Sequence, residues 1–413
     1  MKTATAIALK RGDIAAALNW PPASDKFRLL AGVFLVLFAA YGVTDLAVAT
    51  ARGWPGGFGD SFALWSFGRF LGHHAAVTIY DPIALRSAQL TLGMDPGASY
   101  PFPYPPSFLL VVWPLGQLPG WLAWLALVAV SLPLYLWATV SANWRSPALV
   151  AALVAPTTAI AIVSGQSGLL AGALLAGGLR LAVGHPTASG VLFGLLTYKP
   201  QLGLLVPVAL VAAGFWRTLT VAAVTAVLLA VATSLLFGAA IWPSWVASLP
   251  AFSRQFAAES GEIMHLMPTI LVALVQLGVP PVPAQLAQWA GTAGVAAIVW
   301  ILFRSGPHDL AAAGLLVATF LATPYAFVYD MPIVATAVIW VIAERQCAAE
   351  ALGTGEVLIM ILALIAPITL PAGTSRFPLA TLALILLFGA IVRRARRLRS
   401  RTAPARLPAP ADR

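Results

Sequence analysis

The sequence predicts an all-α, polytopic integral membrane protein: one bundle of about twelve transmembrane helices with amphipathic helices on its outer face. Three observations predict it. Of 413 residues, 60% are hydrophobic and 9% charged, whereas soluble domains carry about 25% charged residues. Apolar runs recur from residue 29 to residue 392, many of them near the roughly 20 residues that a helix needs to cross a bilayer. Basic residues cluster at one side of successive runs: Lys10, Arg11, Lys26 and Arg28, then Arg180, Arg217, Arg304 and Arg345, then a run from Arg393 to Arg401. That is the positive-inside pattern, and it accounts for a net charge of +10 without nucleic acid. It predicts a multi-pass protein of the plasma membrane with both termini cytoplasmic. Cys347 is the only cysteine, which excludes an internal disulfide and a cysteine metal site.

In chain order, residues 1–28 are a cytoplasmic lead and residues 29–392 a single transmembrane domain. The first span covers 29–50. Its apolar run exceeds the roughly 7–15 residues of a signal peptide, so it is expected to remain as a span. Residues 51–118 form the first outer loop. Asp60-Ser61 begins a helix that continues to about His74, with Asp60 suited to cap it. Ser66, Arg69 and His73 then share one stripe, the pattern of an interfacial helix lying on the membrane. Pro82 opens a second short helix. Tyr100 to Pro106 holds four prolines in seven residues and cannot be helical, because proline fixes φ and removes a donor. Residues 107–118 are apolar, short and interrupted by Pro114, as a re-entrant piece would be.

The second span covers 120–139 and the third 147–163. The fourth ends at Arg180, the fifth at Tyr198, the sixth before Trp216, and the seventh covers 218–237. A second outer loop, 239–283, carries Trp242, Trp245, Arg254, Glu259, Glu262 and His265. Spans eight to twelve follow at 284–303, 309–327, 329–343, 354–371 and 376–392. The basic tail, 393–413, sits where it can touch anionic membrane lipid.

Polar chemistry is scarce, so each exception is a candidate. Asp60 has two readings, a helix cap and a general base; a partly desolvated carboxylate at the membrane surface has its pKa raised toward the working range. Lys199 is the only lysine after Lys26 and falls on the outer side, against the basic pattern. It sits in Tyr198-Lys199-Pro200-Gln201, which breaks a helix as cavity-lining backbone does. It can bind a phosphate as a point charge or simply snorkel to the interface. Arg69 is the second phosphate candidate, and Gln201, two residues past Lys199, a third. Tyr80 and Tyr104 can stack on a sugar or belong to an aromatic belt. Gln166, His265, Tyr329 and Asp330 are further polar groups at outer ends, suited to a sugar or an acceptor. His73 and His74 are adjacent rather than at the i, i+4 spacing of a helical metal pair, and no metal or other cofactor is predicted. The chain has no P-loop, no strand-linked GxGxxG and no GxSxG. A cytosolic nucleotide-driven reaction is therefore not expected; any donor is a membrane lipid reached from outside.

Several of these motifs, taken together, resemble glycosyltransferase family 87. They are Gly59-Asp60 at the start of the first outer loop, Tyr80-Asp81-Pro82, Tyr104-Pro105-Pro106, Pro114-Leu115 with Leu118-Pro119, Ser164-Gly165-Gln166-Ser167, and the run from Leu195 to Gln201. The match covers about residues 30 to 250 in order, and the C-terminal third resembles the family only in hydropathy. The resemblance implies a GT-C-type bundle and a polyprenyl-phosphate sugar as donor, with mannose first and arabinofuranose second. It implies that Asp60 takes the proton from an acceptor hydroxyl on a glycolipid or glycan. That oxygen attacks the anomeric carbon with inversion, and Lys199 or Arg69 meets the leaving phosphate. A lipid-linked-sugar flippase or small-solute transporter is the competing reading. It needs a polar path through the midplane reachable from both sides, whereas the polar groups here gather at outer ends.

Overall fold

The computed structural model describes residues 25–54, 58–140, 147–258, 264–348, 350, 352–370 and 377–402. Among them every regular element is helical and there is no strand. The chain begins with α1 (Asp25–Arg52), α2 (Gly59–Leu71), α3 (Pro82–Thr91), α4 (Leu109–Leu115) and α5 (Gly120–Val140). Then come α6 (Pro147–Val154) and α7 (Pro156–Ser164), split at Pro156, because the residue before a proline is pushed out of the helical region. Next are α8 (Gly168–Leu181), α9 (Pro186–Leu195), the four-residue α10 (Pro200–Gly203), α11 (Val206–Ala213) and α12 (Trp216–Phe237). The last third holds α13 (Ile241–Ala258), α14 (Ile270–Gln276), α15 (Pro281–Ser305), α16 (His308–Ala322), α17 (Pro332–Cys347), α18 (Thr354–Ile365) and α19 (Leu379–Thr402).

Most of the predicted apolar segments are helical, often as shorter or broken helices. Among the described residues, α5, α12 and α15 are long and apolar enough to cross a membrane unaided. The centre of the bundle is α16, where every residue from Leu310 to Ala322 is buried. A helix that is apolar all round belongs in a core. Here α15, α17 and α19 pack on it. Gly314 admits one of these contacts, since a Cβ there would meet Leu302 at 2.9 Å.

The structure gives form to two of the predicted loops. Within the predicted second outer loop lies the 18-residue helix α13. Pro243 looks like a breaker but lies in the first turn, where the missing N–H has no partner to lose. Trp245 on this helix donates to the Pro103 carbonyl at 3.3 Å, closing α13 over the Tyr100–Pro106 stretch. Glu259 and Glu262 lie outside the described residues.

The second concerns α2, which is packed among other helices of the protein. Ser61, Phe62, Leu64, Ser66, Phe67 and Phe70 are all buried, and α3, α4 and α5 surround the helix. The supposed polar stripe is divided: Ser66 faces inward, donating to the Ala63 carbonyl at 2.8 Å and accepting from Gln89 at 3.1 Å, while His73 is exposed. Glycines make this burial feasible. A Cβ on Gly68 would overlap the Val112 carbonyl oxygen, and one on Gly116 would overlap the Gly68 backbone. The two chains cross there in backbone contact. Gly68→Val is therefore expected to lower stability by about 1–3 kcal/mol, the usual range for overpacking. A thermal melt of the purified protein checks it, and an unchanged transition would contradict the crossing.

Candidate active site

Five segments converge at one end of the bundle. They are the first turn of α2 with Asp60, the extended stretch with Tyr104, the turn between α7 and α8 with Gln166, the helix break at Lys199, and the link between α16 and α17 with Tyr325, Tyr329 and Asp330.

Asp60 is not the cap of its helix. Phe58 occupies the N-cap position without a side-chain hydrogen bond, and Asp60 lies in the first turn. Its carboxylate is free for another purpose. Gly165, at φ +62°, brings the α7–α8 turn onto α2: a Cβ there would meet both Ser61 and Trp124 at 2.6 Å. The next residue, Gln166, is buried. Its Oε1 accepts from the Tyr104 hydroxyl and from the Ser167 N–H, each at 3.3 Å. That leaves its amide N–H₂ to donate to Asp60, with which it is hydrogen-bonded. Tyr104 is fixed in turn, since Tyr80 donates to its carbonyl at 2.9 Å and its ring lies 4.3 Å from that of Phe108. Phe108 stacks on Tyr198 at 4.8 Å, and Tyr198 donates to the Ser167 carbonyl at 3.0 Å.

Lys199 and Asp330 meet 131 residues apart in the chain, Nζ to Oδ1 at 2.7 Å, each side chain 2% exposed. The break that presents Lys199 follows from the sequence. The turn Leu196–Tyr198 ends at Lys199 in a non-helical conformation, and Pro200 restarts a helix. The ammonium also lies 5.0 Å from the centre of the Tyr329 ring, which stacks on Phe327 at 5.1 Å.

The two carboxylates thus have different surroundings. Asp330 is directly paired with a cation. Asp60 has no cation in contact and keeps part of its surface open. Burial pushes its carboxyl up to about 6; the Gln166 hydrogen bond and the Lys199 charge oppose that rise, and the Asp330 charge adds to it.

The other candidates fall at varying distances from this centre. Arg69 is nine residues along α2 from Asp60, hence on the opposite face and about 13 Å further along. It donates weakly to the Gly116 carbonyl at 3.4 Å and lies 6.0 Å from the Trp65 ring. Tyr80 supports Tyr104 through its hydroxyl. Gln201 is half-buried in α10, two residues past Lys199. His265 lies in the turn Met264–Leu266, whose flanking side chains pack, as Tyr325 and Tyr329 do, on the cluster of Met267, Val272 and Phe327. His74 stacks on Phe70 at 4.3 Å. Among the described residues no three His, Cys, Asp or Glu side chains converge as metal ligands would.

Two further residues contribute. Tyr325 is close enough to Asp60 and Asp330 to feel both charges. Gln89, buried on the face of α3 that also holds Leu85 and Ala88, donates to Ser66 and to the Tyr100 carbonyl at 3.0 Å. It ties α2 to the extended stretch. Only its spacing from Leu85 marks it as inward-facing.

A family profile, Glycosyltransferase family 87, matches residues 102–324. No curated protein and no solved structure matches the chain. The matched region includes Tyr104, Gln166 and Lys199, while Asp60 lies before it and Asp330 after it. Because it spans more than half of the 413 residues, the match makes this chain a member of glycosyltransferase family 87.

Proposed function

We propose that this glycosyltransferase moves a sugar from a polyprenyl-phosphate donor to a glycolipid or glycan acceptor at the outer face of the membrane, with inversion. Mannose is the first choice of sugar and arabinofuranose the second. The observation that carries the reading is the unpaired, partly open carboxylate of Asp60, held by Gln166 beside a buried lysine. Asp60 takes the proton of the acceptor hydroxyl as that oxygen bonds to the anomeric carbon. The bond from the anomeric carbon to the phosphate oxygen breaks, and polyprenyl phosphate leaves with the electron pair. Gln166 keeps the carboxylate oriented, and Tyr104 keeps Gln166 in the rotamer that donates. Lys199 supplies positive charge toward the departing phosphate; one of its three N–H donors is given to Asp330 and the others remain for a ligand. Tyr329 and His265 border the same region and are assigned to sugar and acceptor contacts, and Gln201, two residues past Lys199, to the donor phosphate. Arg69 is the more distant cation, suited to a headgroup outside the reacting centre.

The gathering of polar groups at one end of the bundle supports transfer over passage through the membrane. The activated donor makes a nucleotide site unnecessary. Purified protein in lipid vesicles, supplied with polyprenyl-phosphate mannose or polyprenyl-phosphate arabinofuranose and a membrane-extract acceptor, is expected to form product from one of them. Product formed only from a nucleotide sugar would overturn the donor assignment. Donor crossing the bilayer with no product would favour the flippase.

A further inference from the structure

The opposite end of the bundle holds a second charged site. From Pro332, Arg345 is thirteen residues along α17, about 20 Å away at 1.5 Å per residue. There Arg345, Gly353, Gly355, Glu356, Arg393 and Arg397 line an open cleft of about 380 Å³. Its inner wall is a network of ion pairs. Arg345 bonds Glu350 at 3.0 Å and also Glu356, while Arg394 bonds Glu344 at 3.0 Å and also Glu350. These contacts leave some donors unmet. Arg345 is 8% exposed and its Nε is buried with no partner. Arg393 and Arg397 are exposed on α19, and neither forms an ion pair among the described residues.

The approach to the cleft is apolar. Leu382 and Leu386 are 37% and 40% exposed on α19. With Arg393 and Arg397 they follow spacings of four, seven and four, so all four share one helix face. On α18, Leu358 is 60% exposed, one turn beyond Gly355. Two exposed apolar surfaces therefore lead into a cleft lined by three guanidinium groups, the group best matched to phosphate oxygens, and by the Glu356 carboxylate, which is already paired with Arg345. A soluble anion has no use for that apolar approach; a lipid does.

We propose that this cleft binds the phosphate of an anionic membrane lipid, with Arg345, Arg393 and Arg397 around the headgroup and the acyl chains along Leu358, Leu382 and Leu386. The basic pattern of the chain puts this end on the cytoplasmic side, where anionic lipid would attract it.

The test uses full-length protein in neutral detergent, titrated with phosphatidylglycerol or phosphatidylcholine, the retained lipid being counted by native mass spectrometry. Wild type is expected to retain phosphatidylglycerol in preference. R393Q/R397Q is expected to weaken that retention by about 25-fold, from about fivefold per arginine. Both positions are exposed, and an unchanged thermal transition shows that the fold is kept. R304Q/R396Q removes the same charge outside the cleft and is expected to weaken retention far less. Equal losses from the two pairs would make the attraction diffuse and overturn the site. So would unchanged retention in R393Q/R397Q. Competition on the unmodified protein gives a second readout: inorganic phosphate displacing the lipid at equal concentration would make this a soluble-anion site and overturn the lipid assignment.

Discussion

Asp60→Asn is expected to lower the rate of sugar transfer by about 10²–10⁴, the usual cost of losing a general base. The substitution keeps the shape and the hydrogen-bonding capacity of the side chain, so donor binding should change little. Its effect on stability should run the other way. Burial raises the Asp60 carboxyl to about 6, so the folded protein favours the neutral form. A group raised on folding contributes stability below its ordinary range, near 4, and that contribution is lost as pH rises through about 6. Above pH 6 the wild type therefore carries an unfavourable buried charge that the variant lacks. Asp60→Asn should be more stable by about 1 kcal/mol at pH 7.5, a two-unit shift discounted for the part of the side chain open to solvent. The difference should vanish near pH 4. Inactivity with equal or higher thermal stability marks a functional residue. Inactivity with a large stability loss would mean that Asp60 holds the fold.

The buried pair of Lys199 and Asp330 should behave differently. Removing either partner leaves the other charge buried without compensation, which typically costs about 3–5 kcal/mol. Lys199→Ala and Asp330→Ala should each lower the thermal transition by similar amounts. Replacing both together by apolar groups, Lys199→Met with Asp330→Leu, should restore most of that stability, because the desolvation cost disappears with the charges. Transfer is the discriminating readout. If Lys199 serves the leaving phosphate, the double variant is stable but binds donor poorly. Recovery of transfer along with stability would leave the pair a structural one.

Much of this fold was legible in the sequence. The apolar run at 120–139 became Gly120–Val140, the one at 218–237 became Trp216–Phe237, and the one at 284–303 lies within Pro281–Ser305. Hydropathy reads such segments well because a lipid-facing helix has few other solutions. The break at Lys199 was readable too, since a proline after a polar pair leaves little choice. The failures came where neighbours decide. The moderate polarity of α2 fits an interfacial helix as well as a buried one, and what buries it is a crossing at the end of α4 between Gly68 and Gly116, 48 residues apart in the chain. Lys199 and Asp330 were each marked by their rarity, but their partnership depends on how the link between α16 and α17 packs against the break, which no local pattern encodes. Asp60 was found for its charge and its setting; the Gln166 amide that orients it became visible only once the α7–α8 turn was folded onto α2.

The most direct test of Asp60 as the base is the pH dependence of kcat/KM for sugar transfer by the purified protein in lipid vesicles. Activity should rise with pH and level off through a single ionisation near 6, as a base must lose its proton before it can accept another. The residual activity of Asp60→Asn should lack that limb. A wild-type profile that is flat from pH 5 to pH 7.5, or a variant that keeps the same limb, would contradict the assignment.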